Sequence, residues 1–209
     1  MGEIGREQIL AFVRLFAERL RERKAELTEL DAQIGDADHG INMDRGFSAV
    51  VAKLDGSTDG DPASICKTVG MTLISTVGGA SGPLYGTFFL RMATALDGAS
   101  ALTPEVLGDA LRAGLDGVRQ RGRAELGDKT MVDAMSPAVD AYQASDAPGD
   151  LAGALRSAAD AAAAGRDRVT ALVARKGRAS YLGERAAGHQ DPGATSTTIL
   201  FESLRDALS

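Results

Sequence analysis

Apolar residues recur every three to four positions along most of the chain, and this spacing constrains the fold more than any other feature. In the first such stretch, one face of a helix would carry Ile9, Phe12, Val13, Phe16 and Leu20. No segment shows the alternation of apolar and polar residues that is typical of half-buried strands. The pattern therefore predicts an all-α fold, and residues 1–209 are expected to form a single domain.

Eight helices follow from these apolar stripes and from the residues that bound them. Asp61 followed by Pro62, and Thr103 followed by Pro104, are typical helix starts. Residues 27–42, which are dense in acid and glycine, are expected to be a connector. Short loops favour antiparallel neighbours in a bundle. The predicted helices cover about residues 9–20, 43–54, 62–77, 83–96, 104–118, 128–144 with a bend at Pro137, 150–175 and 195–208.

Charge and cysteine content exclude several classes of function. The chain carries 23 basic and 29 acidic side chains, a net charge of −6, which disfavours nucleic acid and membrane surfaces as partners. Its one cysteine, Cys66, excludes an intramolecular disulfide and is expected to be a core residue. No apolar run approaches the roughly 20 residues that span a bilayer. These features favour a cytoplasmic protein.

Three aspartates lie close together just ahead of the second predicted helix. Asp31, Asp36 and Asp38 flank Gly35, and their oxygens could converge on a hard cation such as Mg²⁺. Aspartates in such turns also form Asx turns and cap helices. From the spacing alone, both interpretations stay open.

A glycine-rich loop, residues 78–83, ends where the fourth predicted helix begins. Small residues allow a ligand close to the backbone, and free N–H groups at a helix start attract phosphate. The loop is not a Walker A motif, because no Gly-Lys-Ser/Thr follows it. A tight turn between helices would have the same composition.

A long polar stretch, residues 175–195, combines four cations with four glycines. It could close over phosphates, or it could be a solvated surface loop. A smaller loop, residues 122–131, could line the same pocket. Mg²⁺ commonly bridges carboxylates and substrate phosphates, so the acidic turn, the glycine loop and the basic stretch together indicate a Mg-nucleotide site.

The same segments resemble a known family. Residues 30–47, 78–89, 127–131 and 174–196 closely resemble the ADP-binding L subunit of bacterial phosphotransferase-system-dependent dihydroxyacetone kinase, the DhaL family. The resemblance implies an eight-helix antiparallel up-and-down α-barrel with a nucleotide site at one end. It also implies a phosphotransferase that acts only with partner subunits. An M-type subunit carrying phosphohistidine would rephosphorylate the bound ADP to ATP, and the phosphoryl group would pass to dihydroxyacetone on a K-type subunit.

The resemblance also implies roles for individual residues. Asp31, Asp36 and Asp38 would hold two Mg²⁺ ions and, with Arg178, would carry the catalysis. His39 is expected to contact the nucleotide, and neither His39 nor His189 is expected to carry a phosphoryl group. The implied nucleotide contacts are His39, Gly40, Ile41, Asn42, Ala80, Ser81, Gly122, Met131, Arg178, Asp191, Pro192 and Gly193.

Three alternatives remain at this stage. A kinase subunit of the same fold could take exchangeable ATP and act on dihydroxyacetone or a tetrulose, although such relatives more often have a hydroxyl residue at the position of His39. A nucleotide-binding regulator that contacts a transcription factor is a second alternative. An all-α Mg²⁺-dependent pyrophosphohydrolase is the third.

Overall fold

Every regular element in the described parts of the chain is a helix, which confirms the all-α prediction. The computed structural model describes residues 4–56, 60–99, 102–145 and 150–208. None of the helices in these ranges is long and apolar enough to cross a membrane. The elements are α1 (Arg6–Glu22), α2 (Lys24–Ile34), α3 (His39–Asp55), α4 (Pro62–Thr76), α5 (Ser81–Leu96), α6 (Pro104–Gly122), α7 (Val132–Gln143), α8 (Leu151–Arg168), a 3-10 helix (Arg178–Ala186) and α9 (Pro192–Leu208).

Helix α2 occupies much of the segment that the sequence predicted to be a connector, so that prediction was wrong. Only Arg23 separates α2 from α1. The buried face of α2 carries Leu27, Asp31 and Ile34, which are spaced at i, i+4 and i+7. The helical period was present but hidden, because a carboxylate occupies the middle of the apolar stripe.

Two predicted helices are shorter than expected. Helix α7 begins at Val132 rather than at Asp128, because the preceding loop turns sharply at Gly127 and Lys129, whose φ angles are 88° and 62°. Helix α8 ends at Arg168 rather than near residue 175. Residues 128–131, which precede α7, lie beside residues 169–175, which follow α8, at one end of the molecule.

Pro137 lies inside α7, and the helix continues through it. A proline has no N–H for the carbonyl four residues earlier, here that of Asp133. Gly165 of α8 packs against this carbonyl so closely that a Cβ at residue 165 would collide with it. The absent side chain therefore lets α8 approach α7 closely at this carbonyl.

The helices close into a ring. From α3 to α9, each α-helix packs against the next, and α9 packs against α1. An ion pair of 2.5 Å joins Arg19 Nη2 of α1 to Asp206 Oδ2 of α9. Inside the ring, the side chains of Phe16 and Phe47 meet edge to face with centroids 4.7 Å apart. Counting α1 and α2 as one element, the α-helices in the described ranges form the expected eight-helix α-barrel.

A smaller apolar cluster lies outside this core, beneath residues 169–188, which we call the covering segment. Ala174, Ala179 and Ala186 of this segment pack with Ile34 of α2. The segment contains the 3-10 helix, which is interrupted at Gly183. The basic stretch is therefore packed against the barrel, and it covers the end where α2 stops.

Candidate functional site

A cavity of about 490 Å³ opens at the end of the barrel that the covering segment overlies. The N-termini of four helices meet there: α3 at His39, α5 at Ser81, α7 at Val132 and α9 at Pro192. Each helix start presents the positive end of a helix dipole, so their convergence favours an anionic ligand. The volume is typical of small-molecule sites.

The three predicted metal ligands come together at this cavity. Asp31 lies in the last turn of α2, Asp36 lies in the following turn, and Asp38 is the N-cap residue of α3. One carboxylate oxygen from each lies within 4.8 Å of the others. Oxygen donors of this kind fit Mg²⁺, which prefers carboxylates and water.

Backbone contacts hold the turn that carries these carboxylates. Asp31 Oδ2 accepts hydrogen bonds from the backbone N–H groups of Asp38 at 2.8 Å and His39 at 3.0 Å. Asp31 Oδ1 faces Gly35, where any Cβ would collide with it. Between the other two aspartates, Ala37 has a φ of 59°, a left-handed conformation that costs a non-glycine residue about 1–2 kcal/mol. The strained residue directs its two neighbours toward one point.

Arg178 reaches the acidic cluster from the covering segment. Its Nη2 lies 2.8 Å from Asp36 Oδ2. The guanidinium remains largely exposed, so this ion pair by itself contributes little to stability. It does place a cation beside the carboxylates, as expected for a residue that faces phosphates.

His39 is buried and both of its ring nitrogens have hydroxyl partners. Nδ1 lies 3.0 Å from Ser81 Oγ, and Nε2 lies 3.0 Å from Ser196 Oγ. Ser196 in turn pairs with the hydroxyl of Tyr85 at 2.7 Å. Burial lowers the pKa of His39 to about 4, against the opposing effect of the nearby aspartates, so the ring is neutral near pH 7. His189, in contrast, lies outside the cavity and pairs with Gln33.

The glycine-rich loop brings Ala80 and Ser81 to the cavity wall. Gly79 has a φ of 66°, which glycine adopts at no steric cost. Gly82 packs on the carbonyl of Val77 so closely that a Cβ would collide with it. The loop therefore turns tightly enough for the start of α5 to point at the cavity.

The structure does not bring Gly40, Ile41 and Asn42 to the cavity wall. Gly40 instead packs against α2, where a Cβ would collide with the carbonyl of Lys24. Asn42 is buried and its Oδ1 accepts a hydrogen bond of 2.7 Å from Arg45. Gly40 and Asn42 therefore pack behind the start of α3, whereas the side chain of Ile41 is exposed.

The far side of the cavity is mostly apolar. The predicted residues Gly122 and Met131 lie here beside Leu84 and Val118. Such a surface suits the flat face of a nucleobase.

The remaining predicted residues, Asp191, Pro192 and Gly193, lie at the start of α9 and also line the cavity. Asp191 Oδ2 accepts the N–H of Ala194 at 2.7 Å. Burial raises the pKa of Asp191 to about 7, with the carboxylates of Asp133 and Asp31 acting in the same direction and the Lys129 ammonium opposing them.

The sequence predicted that the segments 122–131 and 175–195 could line the pocket without giving Lys129 or Lys176 a role of its own, and it missed Arg121. Arg121 and Lys176 add positive charge to the cavity. Lys129 is almost fully buried, and Asp133 accepts the backbone N–H groups of Gly127 and Thr130 at 2.5 and 2.8 Å. A buried lysine in a polar loop carries no signal in a single sequence, because its burial depends on a segment about 40 residues further along the chain.

Comparisons with known proteins agree with this geometry. The profile of the DAK2 domain family matches residues 33–206. The chain is 52% identical over 179 residues to the PEP-dependent dihydroxyacetone kinase, ADP-binding subunit DhaL, of Escherichia coli (strain K12), with 85% of each chain covered. It is 45% identical over 190 residues to the PEP-dependent dihydroxyacetone kinase 1, ADP-binding subunit DhaL, of Listeria innocua, with 90% of each chain covered.

A solved structure shows the same fold. The crystal structure of the dihydroxyacetone kinase from C. freundii in complex with AMP-PNP and Mg²⁺ superposes with a TM-score of 0.72 at 27% sequence identity. The match covers 95% of this chain and 33% of the crystallised one, so this chain spans about a third of that protein's length.

Proposed function

Because the chain belongs to the DAK2 domain family, we propose that it is the ADP-binding subunit of a phosphoenolpyruvate-dependent dihydroxyacetone kinase. The observation that carries this proposal is the meeting of three carboxylates with four helix N-termini in one cavity. Carboxylates alone would repel a phosphate, and helix N-termini alone would not hold a divalent cation. Together they suit a Mg-nucleotide.

Asp31, Asp36 and Asp38 would hold the metal, and we propose two Mg²⁺ ions. When bound there, Mg²⁺ would supply charge neutralisation at the phosphates. Asp31 keeps its place through the two backbone N–H groups at Oδ2, which leaves Oδ1 for coordination. Arg178 would exchange its ion pair with Asp36 for a contact with a phosphate oxygen.

The rest of the wall would bind and orient the nucleotide. Ala80 and Ser81 would meet the phosphates through backbone N–H groups at the start of α5. At the start of α9, residues 191–193, the N–H of Gly193 would do the same, because Pro192 has none. Gly122 and Met131 would contact the base.

His39 and the residues that follow it, 40–42, would support the phosphate site in a different way. His39 connects Ser81 to Ser196 and so fixes the Ser81 hydroxyl at the wall. Gly40 and Asn42 pack behind the wall, so we propose that residues 40–42 act through the orientation of the start of α3, whose backbone N–H groups would face the phosphates.

The described residues of the cavity wall favour positioning over covalent catalysis. No cysteine lines this wall, and both nitrogens of His39 already pair with hydroxyls. Phosphoryl transfer requires mainly orientation and charge neutralisation, which these residues provide. We therefore propose that an M-type subunit with a phosphohistidine supplies the phosphoryl group and a K-type subunit presents dihydroxyacetone. A transcriptional regulator is proposed as a further partner.

The ATP-dependent alternative has less support than the phosphoenolpyruvate-dependent one. Both relatives described above, at 52% and 45% identity, are PEP-dependent kinase subunits. We further propose that residues 1–209 form one DhaL-type nucleotide-binding domain and that it acts in the cytoplasm. Its single cysteine, which is fully buried, is in keeping with a reducing compartment.

The test is to identify the nucleotide that the protein retains. The purified chain is dialysed exhaustively in Mg²⁺, denatured, and its released nucleotide is identified by chromatography, with a parallel sample dialysed against EDTA. We expect ADP at close to one equivalent from the first sample and much less from the second. A protein that is empty in Mg²⁺ and binds ATP reversibly would contradict the proposal and favour the ATP-dependent kinase.

A further inference from the structure

Lys129 is a buried cation that lies in the loop before α7. It is 1% exposed, and its backbone has a left-handed φ of 62°. Nζ donates to three backbone carbonyls, those of Thr170 at 2.9 Å, Leu172 at 3.0 Å and Ala186 at 2.5 Å. An ammonium group has three N–H donors, so each is matched to one acceptor.

The three carbonyls belong to the two ends of the covering segment. Thr170 and Leu172 follow the C-terminus of α8, where a cation is also favoured by the helix dipole. Ala186 ends the 3-10 helix. A backbone bond of 2.9 Å from Gly188 to the Thr170 carbonyl joins the same two ends. Lys129 Nζ thus lies at the point where the segment leaves the barrel and returns to it.

The loop that carries Lys129 is itself held firmly. The carboxylate of Asp133 accepts two of its backbone N–H groups, from Gly127 and Thr130. The carbonyl of Asp128 accepts the N–H of Arg175 at 3.0 Å, which ties the loop to the covering segment a fourth time. The ammonium is therefore carried by a well-held loop, whereas the covering segment that it contacts packs on only a small apolar cluster.

We propose that Lys129 is a positioning residue that fastens both ends of the covering segment and thereby holds Lys176 and Arg178 at the cavity wall. All three N–H donors of the Lys129 ammonium already bond to carbonyls, so Lys129 acts through the covering segment and not on a phosphate. Its loss leaves three carbonyls without their charged donor at the base of the segment, and the segment opens more often while the barrel core stays intact.

A measurement on the wild-type protein tests the contact itself. The chain has only five lysines, so their ¹⁵N ammonium signals are simple to assign by substitution. We expect a slowly exchanging NH₃⁺ signal near neutral pH that disappears in Lys129→Met, because burial and three hydrogen bonds protect this group from water. Fast exchange of the Lys129 ammonium would overturn the proposal without depending on the folding of any variant.

Limited proteolysis tests the consequence. The covering segment contains four trypsin sites, at Arg175, Lys176, Arg178 and Arg185. In nucleotide-free protein we expect Lys129→Met and Lys129→Ala to speed cleavage at these sites by at least about tenfold, since one hydrogen bond to a charged group shifts an opening equilibrium by about that factor. The matched control is Lys67→Met on the exposed face of α4.

Chemical rescue separates a positioning role from general destabilisation. Propylammonium replaces the atoms that Lys129→Ala removes, so it should slow the cleavage again, whereas propanol should not. Cleavage that accelerates equally throughout the chain, or that propylammonium does not slow, would show that Lys129 only supports the fold.

The effect on ligand retention rests on the proposed function. We expect Lys129→Met to release ADP at least about tenfold faster than the wild type and Lys67→Met to release it at the wild-type rate, because a segment that opens more often uncovers the nucleotide. If the wild type binds no ADP, the proposed function fails while the ammonium and proteolysis results still decide the role of Lys129. If ADP binds tightly and its release is unchanged in Lys129→Met, the positioning role fails alone.

Discussion

Asp36 and Asp38 owe their position to Ala37, the strained residue between them, and to Asp31, which is fixed by two backbone donors. Three carboxylates this close repel one another unless cations lie between them. The local geometry therefore favours metal binding over simple helix capping, which the sequence left open.

Replacing Asp36 by Asn should remove one proposed metal ligand and the partner of Arg178 without changing the shape of the turn. In an assay reconstituted with the K-type and M-type subunits, we expect phosphoryl transfer to fall at least about 100-fold, because charge neutralisation at the phosphates is lost. Asp109→Asn, on an exposed position of α6, is the matched control and should keep wild-type activity. Full activity of Asp36→Ala would refute the assignment.

Asp191 should make the stability of the nucleotide-free protein depend on pH. Burial raises its pKa from 3.8 to about 7, so between these values the unfolded state has lost the proton that the folded state keeps. The contribution of Asp191 to stability is therefore present at low pH and declines as pH rises from about 4 to about 7. Above that range the folded protein contains a buried charge.

The variant Asp191→Asn keeps an N-cap acceptor and removes this titration. We expect its free energy of unfolding to exceed that of the wild type at pH 8 by about 1 kcal/mol or more, and the gain to shrink toward pH 4, since one pKa unit corresponds to about 1.4 kcal/mol. Urea denaturation of both proteins at pH 4.5, 6 and 8 measures this difference in the free energy of unfolding. The control is Asp150→Asn, at the exposed N-cap of α8. A gain that does not vary with pH would contradict the role of Asp191.

At the scale of elements, the site depends on how closely α2 and α3 approach each other. Gly40 packs against the carbonyl of Lys24 and the hydroxyl of Thr28. A second tight contact, between Gly46 of α3 and Val77, sets α3 against the end of α4. These small residues bring the acidic turn and the glycine loop to the same end of the barrel.

A methyl group at residue 40 should force α2 and α3 apart. We expect Gly40→Ala to lower the free energy of unfolding by about 1–3 kcal/mol, as other overpacked sites do, and to weaken Mg²⁺ binding. Thermal unfolding and Mg²⁺ titration measure the two effects. Gly56→Ala at the end of α3 is the comparison, because a Cβ there would make only ordinary contacts at 3.7 and 3.8 Å. Equal stability of the two variants would argue against close packing at Gly40.

At the scale of the whole molecule, the closed ring brings together helix ends that are far apart in sequence. The starts of α3 and α9 are joined through His39 and Ser196, which are 157 residues apart along the chain. A ligand at this end would contact elements from both halves of the chain and so stabilise the ring as a unit.

Mg-ADP should therefore raise the unfolding temperature of the whole protein. At a ligand concentration of 100 Kd, mass action adds about 2.7 kcal/mol, and for a protein of this size each kcal/mol shifts the midpoint by roughly 2–4 °C. Calorimetry should show one transition that moves upward with Mg-ADP and returns when EDTA is added. A shift that persists in EDTA would mean that the nucleotide binds without the carboxylate cluster.

The helical class, most helix starts and the residues of the acidic cluster could be predicted because the signals are local. Apolar periodicity, the N-caps at Asp61 and Thr103 and the composition of the glycine loop depend on residues within a few positions of one another. The resemblance to the DhaL family rests on the same short motifs, and the comparisons confirm it.

Other features were decided only by the tertiary structure. Helix α2 was missed because Asp31 interrupts its apolar face, and that carboxylate is acceptable there only because it lies at the cavity. The burial of Lys129 and the double pairing of His39 depend on residues 41 to 157 positions away. Contacts across such distances form only when the ring closes, so they leave no periodic trace in the amino-acid sequence.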